Sequence, residues 1–226
     1  MRNLVIQNIL KNKQNITPEF ENSIIQKYNS FITYTQLPTV NLVQSIDTTN
    51  MTPKVNTLYQ NCTDIIGDKY NILINLYTYK PAGFIAALMS NTYFQNTVLQ
   101  DNHLNNILYI DTNLLIEDYK KLMDKNDSVP LNLVHSMDVL YKDIETADFI
   151  FWDKFGMLNS NYALTKIYNI LDIRYRKCLG NMFFITGGKQ TMEQKFSNEL
   201  YDVMNLTLPS VINLEREQFT YIREEN

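Results

Sequence analysis

The sequence predicts an α/β fold built on a five-stranded parallel sheet with helices on both faces, preceded by a short N-terminal segment. Five short apolar runs carry the prediction: "NILINLY" (71–77), "ILYID" (107–111), "DFIFWD" (148–153), "MFFIT" (182–186) and "VINLE" (211–215). They are almost continuously apolar, as strands covered on both faces must be, instead of alternating with polar residues. Between them, "LLIEDYKKLMDK", "NYALTKIYNILDIRYRKCL" and "TMEQKFSNELYDVMN" repeat apolar residues at helical spacing. Strand and helix in alternation imply crossover connections that place helices on both sides of the sheet.

Residues 1–69 differ from this pattern. The stretch "PEFENSIIQKYNSF" predicts a helix, with Thr17 as N-cap and Pro18 in the first helical position, where its missing N–H costs nothing. "TQLPTVNLVQSIDTTNMTPKVNT" follows, and its Thr, Asn and Pro content predicts an extended connector. The expected division is therefore 1–69, a helix and connector, and 70–226, the core.

Composition narrows the function. A chain of 226 residues with 45% apolar content can bury a core of its own. Twenty basic against 24 acidic side chains give a formal charge of −4, which disfavours a protein devoted to neutralising a phosphate backbone. Two cysteines and two histidines, all far apart, offer no zinc spacing and no disulfide framework, and fit a reduced, cytoplasmic setting. There is no apolar run long enough to cross a membrane, and the apolar stretch in "MRNLVIQNILKNKQN" is too short for a signal peptide.

In such a sheet ligands bind at the carboxyl ends of the strands. After the first run, "YTYKPAGFIAAL" (77–88) has the outline of the phosphate loop G-x-x-x-x-G-K-[ST], whose glycines let backbone N–H groups close on phosphates. In that register the eight positions read Lys80, Pro81, Ala82, Gly83, Phe84, Ile85, Ala86 and Ala87. Both defining glycines, the lysine and the hydroxyl are replaced. Ile85 would put a branched side chain where phosphates lie, and Ala86 removes their counter-charge. After the third run, "ADFIFWDKFG" (147–156) has the hydrophobe-rich strand and acid of a second nucleotide-hydrolase signature.

Taken together, "NILYIDTNLLIEDYKKLMD" (106–124), "ADFIFWDKFG" and "IYNILDIRYRKCLGNMFFITGG" (167–188) resemble the AAA+ ATPase core of bacterial replicative helicase loaders of the DnaC/DnaI type and the related IstB transposition helpers. The resemblance covers about residues 70–226 and implies a P-loop NTPase fold. It also implies a degenerate site. Asp153 matches the family's metal-orienting aspartate, but the water-positioning acid falls on Lys154, a cation that reverses the electrostatic task. The sensing asparagine falls on Gly188. No arginine occurs between residues 177 and 215 to reach into a neighbour's site, and Arg216 and Arg223 align only loosely with a second sensor.

The ordinary readings of single residues are structural. An aspartate at a strand end, such as Asp153, is usually a cap or turn residue, and Trp152 belongs in the core. His103 and His135 belong on the surface. The basic "RYRK" (174–177) suits a helix C-terminus, where the dipole favours cations. The expectation is a pseudo-ATPase that holds no cofactor, metal or catalytic residue. It would act in DNA replication through contact with a replicative helicase or its loader, as adaptor, reduced loader or inhibitor, in a phage or mobile-element setting. The alternatives are a module binding single-stranded DNA, or an ATPase with a non-standard site. A separate N-terminal helicase-gripping domain, which loaders of this type carry, has no counterpart in the first 70 residues.

Overall fold

The computed structural model describes residues 4–13, 16–37, 53–76, 80–123, 131–155, 161–186, 198–204, 206 and 211–214. In chain order the elements are α1 (Leu4–Asn12), α2 (Pro18–Thr35), α3 (Pro53–Gln60), α4 (Cys62–Gly67), β1 (Asn71–Leu76), α5 (Lys80–Leu99), β2 (Ile107–Asp111), α6 (Thr112–Met123) and α7 (Leu131–Thr146). Then come β3 (Phe149–Asp153), α8 (Asn161–Arg176), β4 (Gly180–Thr186), α9 (Asn198–Met204) and β5 (Val211–Leu214). The strand order is β2-β3-β4-β1-β5, and the pairings are parallel. The expected five strands divide into a four-stranded body, β2 to β1, and a short edge strand, β5, which meets β1 through Leu73↔Val211 to Leu76↔Leu214.

Alternation along each strand assigns the two faces. Ile72, Ile74 and Leu76, with Ile107, Tyr109, Phe149, Phe151, Met182 and Phe184, pack with α1 to α5 in one apolar cluster. Leu73, Leu108, Ile110, Ile150, Trp152, Phe183 and Ile185 pack on the other face, against residues of α6, α7, α8 and α9. Both faces are thus covered, which is why the strand sequences lack polar alternation.

Over residues 82–89 the helix α5 is apolar on every side because it is covered on every side there. Its inner side meets the sheet and its outer side meets the N-terminal helices. Every residue from Ala82 to Asn91 is buried. Polar ties fix this layer: the Tyr28 hydroxyl donates to Asn91 Oδ1 at 2.9 Å, Asn96 Nδ2 donates to Thr63 Oγ1 at 2.9 Å, and Asn105 Nδ2 donates to the Ile66 carbonyl at 3.0 Å. Tyr28 and Phe31 also pack edge-on or tilted against Phe94 with ring centroids 5.1 Å apart.

The N-terminal region therefore does more than the sequence reading assigned to it. Thr17 caps α2 as expected, in extended backbone with its side chain accepting from Phe20 N at 3.2 Å, and Pro18 opens the helix. The end of the expected connector, from Pro53, is helical, while residues 38–52 lie outside the described residues. Packing does not break at residue 69: Val5, Ile6, Ile9, Ile24, Val55, Leu58 and Ile66 share one cluster with the sheet. The short helices α1, α3 and α4 escape a sequence reading because burial of one face, not intrinsic propensity, holds them.

Candidate functional site

Two aspartates end neighbouring strands in register: Asp111 closes β2 and Asp153 closes β3. They share parity with Tyr109 and Phe151, so they belong to the α5 face of the sheet. Asp153 is buried, with 6% of its surface exposed. Its Oδ2 accepts from the Tyr109 hydroxyl at 2.5 Å and its Oδ1 from the Lys154 backbone N–H at 2.8 Å. Asp111 uses Oδ1 to cap α6, accepting from Asn113 N at 3.0 Å and Leu114 N at 3.3 Å, and its Oδ2 accepts from Lys154 Nζ at 2.5 Å.

Lys154 is the pivot of this cluster. Its backbone takes φ 54°, in the left-handed region that costs a residue with a Cβ about 1–2 kcal/mol. That turn sends its chain across to Asp111, where the ion pair is partly shielded, with 35% and 18% of the two side chains exposed.

Burial is the main cause that raises the Asp153 carboxyl above its ordinary range, and the Asp111 charge adds to it; the Tyr109 hydroxyl and Lys154 oppose. Burial beside Asp153 also raises the Tyr109 phenol, which stays protonated and donates. The residues leave little for a metal or nucleotide phosphate. The carboxylate oxygens already accept from an ammonium, a hydroxyl and three backbone N–H groups, and among the described residues there is no group of three or more His, Cys, Asp or Glu that could hold a metal ion.

The positions read as a phosphate loop are not a loop. Lys80, Gly83, Ile85, Ala86 and Ala87 all lie in the first turns of α5, and only residues 77–79, outside the described set, separate them from β1. Ile85, Ala86 and Ala87 are 0–1% exposed. The correction has a physical cause: with helix formers in place of the loop's glycines, and apolar layers on both sides, this stretch gains more from a buried helix than from an open turn.

Of the remaining candidates, Asp153 and Lys154 come together with Asp111, whereas Gly188, Arg216 and Arg223 lie outside the described residues. His103 and His135 are exposed and Trp152 is fully buried, as expected. Arg174 departs from the reading of "RYRK" as a solvated helix end. It is fully buried and donates to Asn181 Oδ1 and to the carbonyls of Ile144, Ala147 and Gly180. Asp111 and Tyr109 were missed. The signal for them was present in the parallel endings of "ILYID" and "FIFWD", since strands of equal length paired in register bring their last residues side by side.

A groove of about 1040 Å³ opens elsewhere, at the amino end of β2, between α2 and residues 98–107; Phe20, Lys27, Tyr34 and His103 are among its lining residues.

The parallel sheet and the helices on both of its faces define an α/β fold, which this chain shares with solved structures of replication proteins. The crystal structure of the DnaC helicase loader superposes with a TM-score of 0.53, at 12% identity over 80% of this chain and 98% of that one. AMPPCP-bound DnaA from Aquifex aeolicus gives 0.52 at 9% identity over 79% of this chain and 50% of that one. Domain III of the Thermotoga maritima replication initiation protein DnaA gives 0.52 at 11% identity over 74% and 63%. This chain thus spans about half the length of the Aquifex initiator. At these identities the likeness shows the fold alone. No protein-family model and no curated protein sequence matches the chain.

Proposed function

We propose that this chain is a non-hydrolysing pseudo-ATPase related to helicase loaders, acting in DNA replication by protein contact with a replicative helicase or its loader. The observation that carries the reading is the Lys154 ion pair with Asp111. Where the resemblance puts an acid that positions attacking water, this chain has a cation already engaged. The helical, buried course of Ile85, Ala86 and Ala87 supports the same reading, because it leaves those backbone N–H groups inside α5 and not around a phosphate.

AAA+ subunits of this kind associate head to tail, and such heterologous contacts propagate until something stops them. A chain with the fold but without the shared chemistry would join through one face and offer nothing at the other. It would cap or reduce an assembly, in the cytoplasm of a host cell if a phage or mobile element encodes it. The burial of Arg174 takes one cation away from the helix end that a DNA-binding reading would use.

The test is to mix the purified protein with the cognate helicase and loader, with and without ATP, and to measure the mass of what forms. The expected result is a complex indifferent to nucleotide. If nothing co-elutes at about tens of micromolar protein in low salt, or if ATP is needed or turned over, the reading is abandoned.

A further inference from the structure

The groove between α2 and residues 98–107 has two unlike walls. On α2, Phe20, Ile24, Lys27, Phe31 and Tyr34 recur every third or fourth residue and so share one face of the helix. Ile24 and Phe31 are buried and give the groove an apolar floor, while Lys27 stands exposed above them. From Phe20 to Tyr34 this face is about 21 Å long, at about 1.5 Å per residue. The facing wall includes residues 102–106, which run into β2 outside any helix or turn.

That second wall leads into a sheet edge. In the order β2-β3-β4-β1-β5, no strand covers the outer side of β2 among the described residues. In the lead to β2, the Asn105 N–H donates to the Tyr93 hydroxyl oxygen at 3.0 Å and the Asn106 N–H to Asp148 Oδ2 at 2.9 Å. The N–H and carbonyl groups of His103 and Leu104 have no hydrogen-bond partner among the described residues. The charges of the lining are also uneven. Asp101 already holds Lys13 at 2.9 Å, whereas Lys27 has no ion pair among the described residues.

We infer that this groove binds an extended, acidic peptide segment of another protein, added as a short strand beside residues 102–107. Main-chain bonds to an open edge give such a segment affinity, and its alternate side chains supply specificity. About six extended residues span the length of the α2 face. Apolar side chains at alternate positions would meet Ile24, Phe31 and Leu104, and a carboxylate between them would answer Lys27. The groove lies at the other end of the strands from Asp153 and Lys154, so the inference rests neither on the altered nucleotide site nor on helicase contact.

Selection on the whole protein from a library of random peptides about seven residues long supplies the probe. The enriched peptides should carry Asp or Glu among alternating apolar residues. A fluorescein-labelled copy of one should bind at about micromolar strength by fluorescence anisotropy. Lys27→Glu should weaken that binding at least about tenfold. Ser30→Trp, which fills the groove from an exposed position on α2, should abolish it. N-methylation of alternate amides in the peptide should abolish it too, because this removes main-chain donors and leaves the side chains unchanged. Circular dichroism checks that each variant is folded. Failure to enrich any peptide overturns the inference, as does a selected peptide that binds Lys27→Glu undiminished or survives N-methylation. Binding of an oligothymidylate with no peptide enriched would assign the groove to nucleic acid and overturn it as well. None of these outcomes requires a helicase or ATP, so this inference and the proposed function can fail separately.

Discussion

Arg174 donates through Nε to Oδ1 of Asn181 at 2.7 Å, in a place with no exposure for the arginine and 3% for the asparagine. That oxygen also accepts from Trp152 Nε1 at 3.0 Å, and Asn181 Nδ2 donates to Asn71 Oδ1 at 2.8 Å. The rest of the guanidinium reaches the carbonyls of Ile144, Ala147 and Gly180 at 2.6–2.9 Å, closing the C-terminal end of α7. Cations are favoured at such an end by the helix dipole. Burial lowers the Arg174 pKa to about 9, and the group remains charged at neutral pH. One side chain of α8 thus ties α7 to β4 and, through Asn181, reaches Trp152 of β3.

Removing it should be costly. Arg174→Met leaves buried acceptors without donors, and we expect a loss of about 3–5 kcal/mol in unfolding free energy. Arg174→Lys should recover little, because one ammonium cannot reach acceptors spread around a planar fork. Urea unfolding followed by Trp152 emission measures both. A loss under about 1 kcal/mol for Arg174→Met would mean that water or a neighbour replaces the clasp.

Rebuilding the phosphate loop should unfold the protein before it creates an activity. Ile85→Gly, Ala86→Lys and Ala87→Thr place a cavity, a buried charge and a hydroxyl in the fully covered part of α5. The cavity alone costs about 2–5 kcal/mol and the unpaired charge more. The triple variant should melt far below the parent and show no ATP turnover. A folded variant that hydrolyses ATP would show that α5 yields a loop on demand, and would sink this account of the site.

The pH dependence of stability carries a signature of Asp153. Its folded carboxyl titrates above the ordinary 3.8, chiefly because burial disfavours the ion. A raised acid binds its proton more tightly when folded. Its contribution is therefore fully present below 3.8 and is lost as pH rises through the folded value. Compared with Asp153→Asn, which cannot titrate, the parent should lose stability as pH is raised from about 4 to about 7. Parallel curves, or a relative gain on raising pH, would contradict the assigned environment.

Much of the fold was legible because it follows from local pattern. Four strands lie within one or two residues of the apolar runs that announced them, and the fifth, β5, lies inside its run. Thr17 and Pro18 marked the start of α2 by their own chemistry. Asp153 and Lys154 were legible as an altered pair, while the ion pair of Lys154 with Asp111 was not: 43 residues separate the two in the chain, and only the in-register pairing of β2 and β3 brings them together. Gly180 was silent for the same reason. A Cβ there would lie 2.5 Å from Phe149 Cδ2 and 2.7 Å from Lys69 Cα, an approach that exists only once β4 lies beside β3 and the turn before β1.

By itself, then, the sequence determined the class of sheet, the order of its strands along the chain, the start of α2 and the chemical identity of the residues at the strand ends, since each depends on neighbours within a few positions. Tertiary structure decided the rest. It made residues 80–87 a buried helix where the motif outline suggested a loop, because the N-terminal helices cover the outer side of α5 and burial on two sides outweighs any local preference for a turn. It drew Arg174 out of a solvated basic run into the core, because Asn181 and three carbonyls converge there from distant parts of the chain. And it set Lys154 on Asp111, because a charge finds its partner through space, and neither spacing nor periodicity in one dimension records where the strands come to lie.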